Sequence, residues 1–583
     1  MLNFKDYISN IPDNPNQNFA QLLEQIAKDH ADKDAILYRS GGQREFTRWT
    51  YARFGEECRK VARGLLAAGL VKGDRVVLWA ENRPEWMAVW MGTIIAGIII
   101  VPVDFLITEK ECLNIINITK AKAFFYSGVK QEFAQSLRSE GIHMAALVCV
   151  TPPEGGGEFE FDRFGGDAGN QALPPPDSIA PDHPASIVFT SGTTGIAKGV
   201  TLSHQNIIAN ASAAVRILRP DNTDVFVDVL PLHHTYPTTC CFIAPISIGI
   251  PTVIVEKIIG KVVIDDVRDA GVTFLIAVPL LFDKVMTALD AGYNTKIPGI
   301  LRAILKPMRK KALAEANKGN PEYGRKKFLF FRKKAGLASV KIMVAGGGPL
   351  NPKTADFFDS LGCNIVHGYG MSENSPLISV NTPKHKRNVS VGLPVSHTAV
   401  KILEPNAEGI GEIAVTSPSL MIGYFQNEEA TNEVMKEIDG KRFLLTGDLG
   451  KIDKDGYIYI MGRKKNLIVT AGAKNIYPEE IEVLFGGSRV IGEILVVGRR
   501  GKDGSGEAVF AVVVPNFEAI KEDHPGKEQD DAFVRNLIKK IIEETNRGLP
   551  SYKKISDFTV RNEPFEKNAQ QKIRRFMYKH YEN

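Results

Sequence analysis

The densest run of chemistry-bearing residues is Thr190-Ser-Gly-Thr-Thr-Gly-Ile-Ala-Lys-Gly-Val200. Four hydroxyls, on Thr190, Ser191, Thr193 and Thr194, lie close to one ammonium, on Lys198. Gly192 and Gly195 have no Cβ, so the backbone there can approach a ligand and offer its N–H groups to an anion. Hydroxyl, amide and ammonium donors in one short turn suit phosphate oxygens. The order Gly-Lys-Ser/Thr is missing, which excludes a Walker A loop. A flexible Ser/Gly/Thr linker is the competing reading. The apolar run Ile187-Val-Phe189 just before the segment favours a turn leaving a buried strand.

This segment closely resembles the signature loop of the AMP-forming synthetase superfamily, which contains acyl-CoA synthetases, luciferases and peptide-synthetase adenylation domains. Members usually have proline before the lysine, where this chain has Ala197. Further segments resemble the family's, in the same order. In Pro231-Leu-His-His-Thr-Tyr236 the resemblance places His234, rather than His233, at the acyl end of the site, orienting the carboxylate or gating a tunnel. Ala345-Gly-Gly-Gly-Pro349 resembles the glycine wall beside adenine and substrate carboxylate, with Gly346 and Gly347 against the ligand. In His367-Gly-Tyr-Gly-Met-Ser-Glu-Asn-Ser375 it implies that Gly368 and Gly370 frame the nucleotide. Tyr369 stacks on adenine, Ser372 contacts the nucleotide and Glu373 ligates Mg²⁺. A hard cation takes a carboxylate oxygen together with phosphate oxygens, which fits. Leu445-Thr-Gly-Asp448 resembles the ribose motif: a carboxylate can accept two hydrogen bonds from a vicinal diol. Arg463 reaches the same ribose. Near the end, in Asn568-Ala-Gln-Gln-Lys-Ile-Arg-Arg575, Lys572 aligns with the lysine of adenylation, but Gln570-Gln571 replaces the usual Thr-Gly.

The resemblance implies an α/β protein: a large, multi-subdomain N-terminal adenylate-forming part over 1–462 and a small, mobile α+β C-terminal domain over 463–583. The hinge falls near Lys465, and Gly472 and Lys474 take the CoA side. The implied activity is an ATP-dependent acid–CoA ligase using ATP, Mg²⁺ and CoA. Its acid is expected to be a medium- or long-chain fatty acid, because the Met371-Ser-Glu-Asn-Ser-Pro376 variant, the His-His-Thr-Tyr element and a basic insertion all resemble bacterial long-chain acyl-CoA synthetases. Val278, Pro279, Leu280 and Gly347 are candidate tunnel walls. Alternatives are an acyl-acyl-carrier-protein synthetase, an aryl-acid CoA ligase or, outside catalysis, an ATP- or fatty-acid-binding pseudoenzyme.

Holding these groups in place requires a large scaffold. The 583 residues exceed one compact core, and 44% hydrophobic with 24% charged residues is an ordinary globular composition. Phe19–His30 and Thr50–Leu70 have helical spacing, whereas Ala35–Tyr38 and Arg75–Trp79 read as strands, giving the alternation of an α/β sheet. Trp86–Val103 is long and apolar enough to suggest a membrane span. Gly97, Pro102 and the β-branched run 98–101 instead predict a buried helix to about Ala96 followed by a buried strand. Cys240–Val255, broken by Pro245, Gly249 and Pro251, is read the same way. Glu154–Pro184 reads as loop.

A net charge of +5 is small for this length, and no nucleic-acid partner is expected. Between Arg302 and Lys334 twelve basic residues meet only Glu315 and Glu322, with Leu329-Phe-Phe331 interleaved. Two readings stay open there: a membrane-facing basic surface, or a solvated helical insertion. Six scattered cysteines without ligand spacing fit reduced thiols, and the polar start predicts a cytoplasmic protein. A homodimer and a peripheral membrane contact through 302–334 complete the partner expectations.

Overall fold

The computed structural model describes residues 17–39, 43–151, 160–166, 168, 171–190, 197–470, 474–500, 507–567 and 573–582. The β–α alternation of the first half builds two sheets. The first has nine strands, and six of them are parallel: Ile365–Gly370, Ile342–Ala345, Phe274–Ala277, Phe226–Asp228, Thr252–Val255 and Asp34–Arg39, in spatial order. Antiparallel strands close both edges. The second has seven strands, running from Gly423–Tyr424 through Lys198–Ser203, Pro184–Thr190, Ile99–Pro102, Arg75–Trp79 and Ala123–Tyr126 to Ala146–Cys149.

The sheets share one helical layer. A single buried cluster takes Phe226, Phe274 and Ile276 from the nine-stranded sheet and Val76, Leu78 and Ile100 from the seven-stranded one. Between them lie Phe19–Asp29, Tyr51–Ala67, Pro84–Ile95 and His204–Leu218. Pro84–Ile95 explains the apolar run: a helix apolar on every side must be buried on every side, and all but Glu85 of its residues are. It ends at Ala96 and gives way to the buried strand Ile99–Pro102, as expected. Cys240–Val255 is likewise interior, as a π-helical turn, a short helix and the strand Thr252–Val255. Among the described residues no helix is long and apolar enough to cross a membrane. Five cysteines are buried, Cys149 is half-buried, and all six are free.

The basic insertion is helical, over Gly299–Asn317, Glu322–Lys327 and Leu329–Lys334. Part of its charge turns inward, which neither open reading anticipated. Arg332 is fully buried and donates to the carbonyls of Leu337, Ala338 and Val340. Arg325 donates to Lys341 O at 3.0 Å, and Arg309 to Ser360 Oγ at 3.1 Å. These guanidiniums tie the insertion to the large domain; the lysines stay outside.

A five-stranded antiparallel sheet over 399–463 follows. Beyond it, two small hydrophobic clusters are built from residues 468 and later, around the strands Ile491–Arg500, Glu507–Pro515 and Asp557–Val560.

Candidate active site

The site collects at the carboxyl ends of the parallel strands, where ligands of open α/β sheets bind. Thr190 ends its strand and pairs with Lys198, the first residue of the next, so the two flank the hydroxyl-rich loop. Thr190 Oγ1 also donates to Lys198 O at 3.4 Å. Ser191, Gly192, Thr193, Thr194 and Gly195 lie outside the described residues. The edge strand Gly423–Tyr424 pairs with Lys198–Ser203 and carries Tyr424 in beside Lys198. Lys198 Nζ stands 5.0 Å from the Tyr424 ring, and Tyr424 Oη donates to Glu373 Oε1 at 2.8 Å. Burial and the neighbouring Glu373 carboxylate push the Tyr424 hydroxyl well above its ordinary pKa. It therefore stays a proton donor that holds one oxygen of Glu373 and leaves the other to a ligand.

Ala345 ends the strand Ile342–Ala345, and the glycines begin there. Gly347 has φ +82°, a left-handed backbone that favours glycine. At Gly346 a Cβ would fall 2.7 Å from the Tyr236 ring, so the missing side chain is what admits the tyrosine. Tyr236 Oη donates to Val344 O at 3.3 Å. The strand Ile365–Gly370 supplies Gly368, Tyr369 and Gly370; a single turn over Ser372–Asn374 then presents Ser372 and Glu373. Thr235 Oγ1 donates to Ser372 Oγ at 3.2 Å, joining the histidine segment to this turn.

The ribose candidates meet directly. Tyr369 Oη donates to Asp448 Oδ2 at 2.6 Å, and Arg463 Nε lies 2.7 Å from Asp448 Oδ1. Gly447, at φ +70°, makes the turn that presents Asp448, while register places Arg463 opposite it on the adjacent strand. The phenol that the resemblance set under adenine thus also anchors Asp448, the carboxylate it assigned to the ribose.

His234 is half-buried and His233 buried, their rings 4.0 Å apart. Burial lowers the His233 pKa to about 3, so that imidazole is neutral at physiological pH. His233 Nε2 lies 3.7 Å from Asp104 Oδ1, too long for a hydrogen bond.

All of these groups line one continuous cleft of about 2660 Å³, far larger than a single-ligand pocket. Its walls include Asp448, Arg463, Glu373, Tyr424, Lys198, Gly346, Gly347 and His234. Its apolar lining falls in two groups: Tyr236, Cys240, Ala244, Ala214, Val215 and Leu218 belong to the cluster shared by the two sheets. Val278, Leu281 and Val285 pack on a second buried cluster, and with Pro279, Leu280 and Gly347 they put the candidate tunnel walls on the cleft. The C-terminal region closes the cleft with Lys465, Lys567, Ile573 and Arg574. Lys567 and Ile573, bridged to each other, flank 568–572; Lys572 itself lies outside the described residues, as does Gly472. Lys474 is exposed and absent from the cleft wall; its N–H donates to Thr470 Oγ1 at 3.1 Å.

Tyr424, Thr235 and the part played by Tyr236 were not read from sequence. Tyr236 sat inside a quoted motif, but its packing partner is more than one hundred residues away. Tyr424 had no local signal at all, since only strand pairing brings it to Lys198.

Among the described residues no cluster of three or more His, Cys, Asp or Glu could hold a metal alone. A single oriented carboxylate, Glu373, is nevertheless the donor set expected for a cation shared with phosphates.

The family model described as AMP-binding enzyme matches residues 23–425, and the chain belongs to that family. Over 535 residues it is 28% identical to the long-chain-fatty-acid–CoA ligase ACSBG2 of Gallus gallus, covering 88% of this chain and 68% of that one. It is 27% identical to the peroxisomal long chain acyl-CoA synthetase 7 of Arabidopsis thaliana (96% and 83% covered) and 28% identical to the mitochondrial medium-chain acyl-CoA ligase ACSF2 of Danio rerio (87% and 82%). The crystal structure of the anthranilate CoA ligase AuaEII with anthranoyl-AMP superimposes with a TM-score of 0.77 at 19% identity, covering 98% of both chains. ATP-bound MatB from Rhodopseudomonas palustris does so with 0.75 at 23% identity, covering 97% and 99%. These structures establish the adenylate-forming fold.

Proposed function

We propose that the chain is an ATP-dependent acid–CoA ligase that converts a medium- or long-chain fatty acid to its acyl-CoA through an acyl-AMP. The carrying observation is that one cleft is lined both by the polar group Asp448, Tyr369, Glu373 and Lys198, suited to a nucleotide, and by apolar side chains around Tyr236 and Val278, suited to an acyl chain. The fatty-acid ligases among its relatives support the choice of acid.

In the first half-reaction a carboxylate oxygen attacks the α-phosphorus of ATP. The new P–O bond forms as the bond to pyrophosphate breaks, leaving acyl-AMP. In the second, the CoA sulfur attacks the acyl carbonyl, loses its proton, and AMP departs with the C–O bond electrons. Asp448 and Arg463 would fix the ribose, Tyr369 the adenine, and His234 the carboxylate. Lys198 and Lys572 would offset charge gathering on the phosphates, a contribution of about 3–4 kcal/mol per well-placed donor. Mg²⁺ held between Glu373 and phosphate oxygens would add electrostatic stabilisation of the leaving pyrophosphate.

The reading includes a boundary at 462/463 with its hinge near Lys465. Lys464–Asn466 is one short turn between the last strand of the five-stranded sheet and the C-terminal clusters, which favours a pivot there. In that reading Gly472 and Lys474 meet CoA once the small domain has turned, consistent with Lys474 lying off the cleft in this arrangement.

The test is acid-dependent pyrophosphate release from ATP–Mg²⁺ over acids from acetate to oleate plus benzoate, with and without CoA. CoA-dependent turnover peaking at a medium or long chain is expected. A peak at benzoate would make it an aryl-acid ligase, and ATP binding without pyrophosphate from any acid would make it a pseudoenzyme.

A further inference from the structure

Asparagine is a poor residue for the middle of a helix, because its short amide competes for backbone hydrogen bonds. Asn210 nevertheless sits midway along His204–Leu218, where it is fully buried. Its Nδ2 donates to Asn374 O at 3.0 Å, 164 residues further along the chain, and to Leu377 O at 2.9 Å. Its Oδ1 accepts from Leu377 N at 2.9 Å. Both hydrogens and one acceptor position of the amide are thus spent on the backbone of 374–377.

That stretch is the foot of the turn Ser372–Asn374, which sets Ser372 and Glu373 on the cleft wall. The turn is closed on itself: Asn374 N donates to Met371 O at 2.9 Å, Ser375 N to Ser372 O at 3.1 Å and Met371 N to Pro376 O at 3.0 Å. Internal bonds of this kind give the turn its shape but not its place. Its place is set from outside. Thr239 Oγ1 donates to Ser375 O at 2.8 Å and Met421 N to Glu373 O at 2.8 Å, while Asn210 supplies three bonds from one side chain.

The helix of Asn210 follows directly on the strand of Lys198. Ser203 ends that strand and caps the helix, its Oγ accepting from Asn206 N at 3.1 Å. One amide therefore ties the turn of Glu373 to the element of Lys198, so a carboxylate and an ammonium assigned to one set of phosphates share a frame. Asn210 itself lies off the cleft wall. We infer that Asn210 is a positioning residue, which holds the backbone of 374–377 so that Glu373 meets its cation. The inference rests on the metal role given to Glu373 in the proposed function.

The experiment is calorimetric binding of ATP with Mn²⁺, and of adenosine, to the full chain without acid. The variants are Asn210→Ala, Glu373→Gln and Ile207→Ala; Ile207 is buried on the same helix, and its truncation removes packing but no hydrogen bond to the turn. Asn210→Ala should weaken ATP–Mn²⁺ binding about tenfold, through a freed Glu373, and leave adenosine binding unchanged. Ile207→Ala should lower Tm and bind both as the wild type does. The inference is overturned if Asn210→Ala binds ATP–Mn²⁺ like the wild type, or if Ile207→Ala weakens it equally, since a purely structural role moves both. Asn210→Ser takes the place of an insoluble alanine variant, and insolubility of both would make Asn210 a folding residue and overturn the inference. ATP–Mn²⁺ binding that Glu373→Gln does not weaken would remove the metal role and the inference with it. A wild type that binds ATP–Mn²⁺ but releases no pyrophosphate with any acid would defeat the ligase reading and leave Asn210 its part.

Discussion

Tyr424 and Glu373 are separated by fifty residues, yet one hydrogen bond makes them a unit. The phenol fixes Oε1 of the carboxylate, and in the proposed function Oε2 is the oxygen that serves the metal. Tyr424→Phe should leave the fold intact and raise the Mg²⁺ concentration for half-maximal pyrophosphate release about tenfold, the ordinary worth of a hydrogen bond to a charged group. An unchanged Mg²⁺ titration would show that Tyr424 does not position Glu373. Another acid, the buried Asp228, is held by Asn82 Nδ2 at 2.6 Å and Leu230 N at 3.2 Å. Burial raises its pKa to about 8, from about 4 in an unfolded chain. Across that window the folded chain keeps a proton that the unfolded chain releases, so this group's contribution to stability is complete at acid pH and falls as pH rises towards 8. Asp228→Asn should lower Tm most at pH 5 and least at pH 8. A deficit independent of pH would mean that Asp228 is ionised in the fold.

At the scale of elements, the pairings that form the site were legible where they were local. The hydroxyl-rich loop was expected to leave a buried strand, because a buried apolar run followed by glycines leaves few alternatives; that a second strand begins at Lys198 and pairs back at Thr190 was not expected. The C-terminal segment is held more indirectly. Arg575 donates to the half-buried Glu482 carboxylate and, at 3.0 Å, to Val496 O, just beyond the Lys567–Ile573 bridge that flanks the loop of Lys572. Arg575→Ala would leave that carboxylate with Val496 N–H but without its guanidinium, a loss of about 1.5–3 kcal/mol. Thermal unfolding should show the C-terminal lobe weakened, and adenylation should slow although no nucleotide ligand has been removed. A variant with wild-type unfolding and slowed adenylation would instead give Arg575 a direct part in catalysis.

For the whole molecule, the proposed boundary has a physical consequence. The C-terminal clusters draw only on residues from 468 onward, so each side of the proposed hinge has a core of its own. A fragment ending at residue 462 should fold and bind ATP, since Asp448, Tyr369, Glu373 and Lys198 all precede the cut. It should release no pyrophosphate with any acid. Calorimetry of the full chain should resolve two transitions; a single one, with an insoluble fragment, would place the boundary elsewhere.

The sequence by itself determined the family, the α/β class and the buried character of Trp86–Val103, and it named most of the polar groups that the structure gathers on one cleft. Such features are local: a turn that must bare its N–H groups, or a helix apolar on all sides, is written in consecutive residues. Only the tertiary structure decided that Tyr424 reaches Glu373, that Gly346 is bare because Tyr236 crosses it, and that Lys474 lies off the cleft. It also decided which charges of 302–334 face outward. Arginine and lysine look alike along a chain, and whether each meets a carbonyl or water depends on strand and helix packing between residues far apart in sequence.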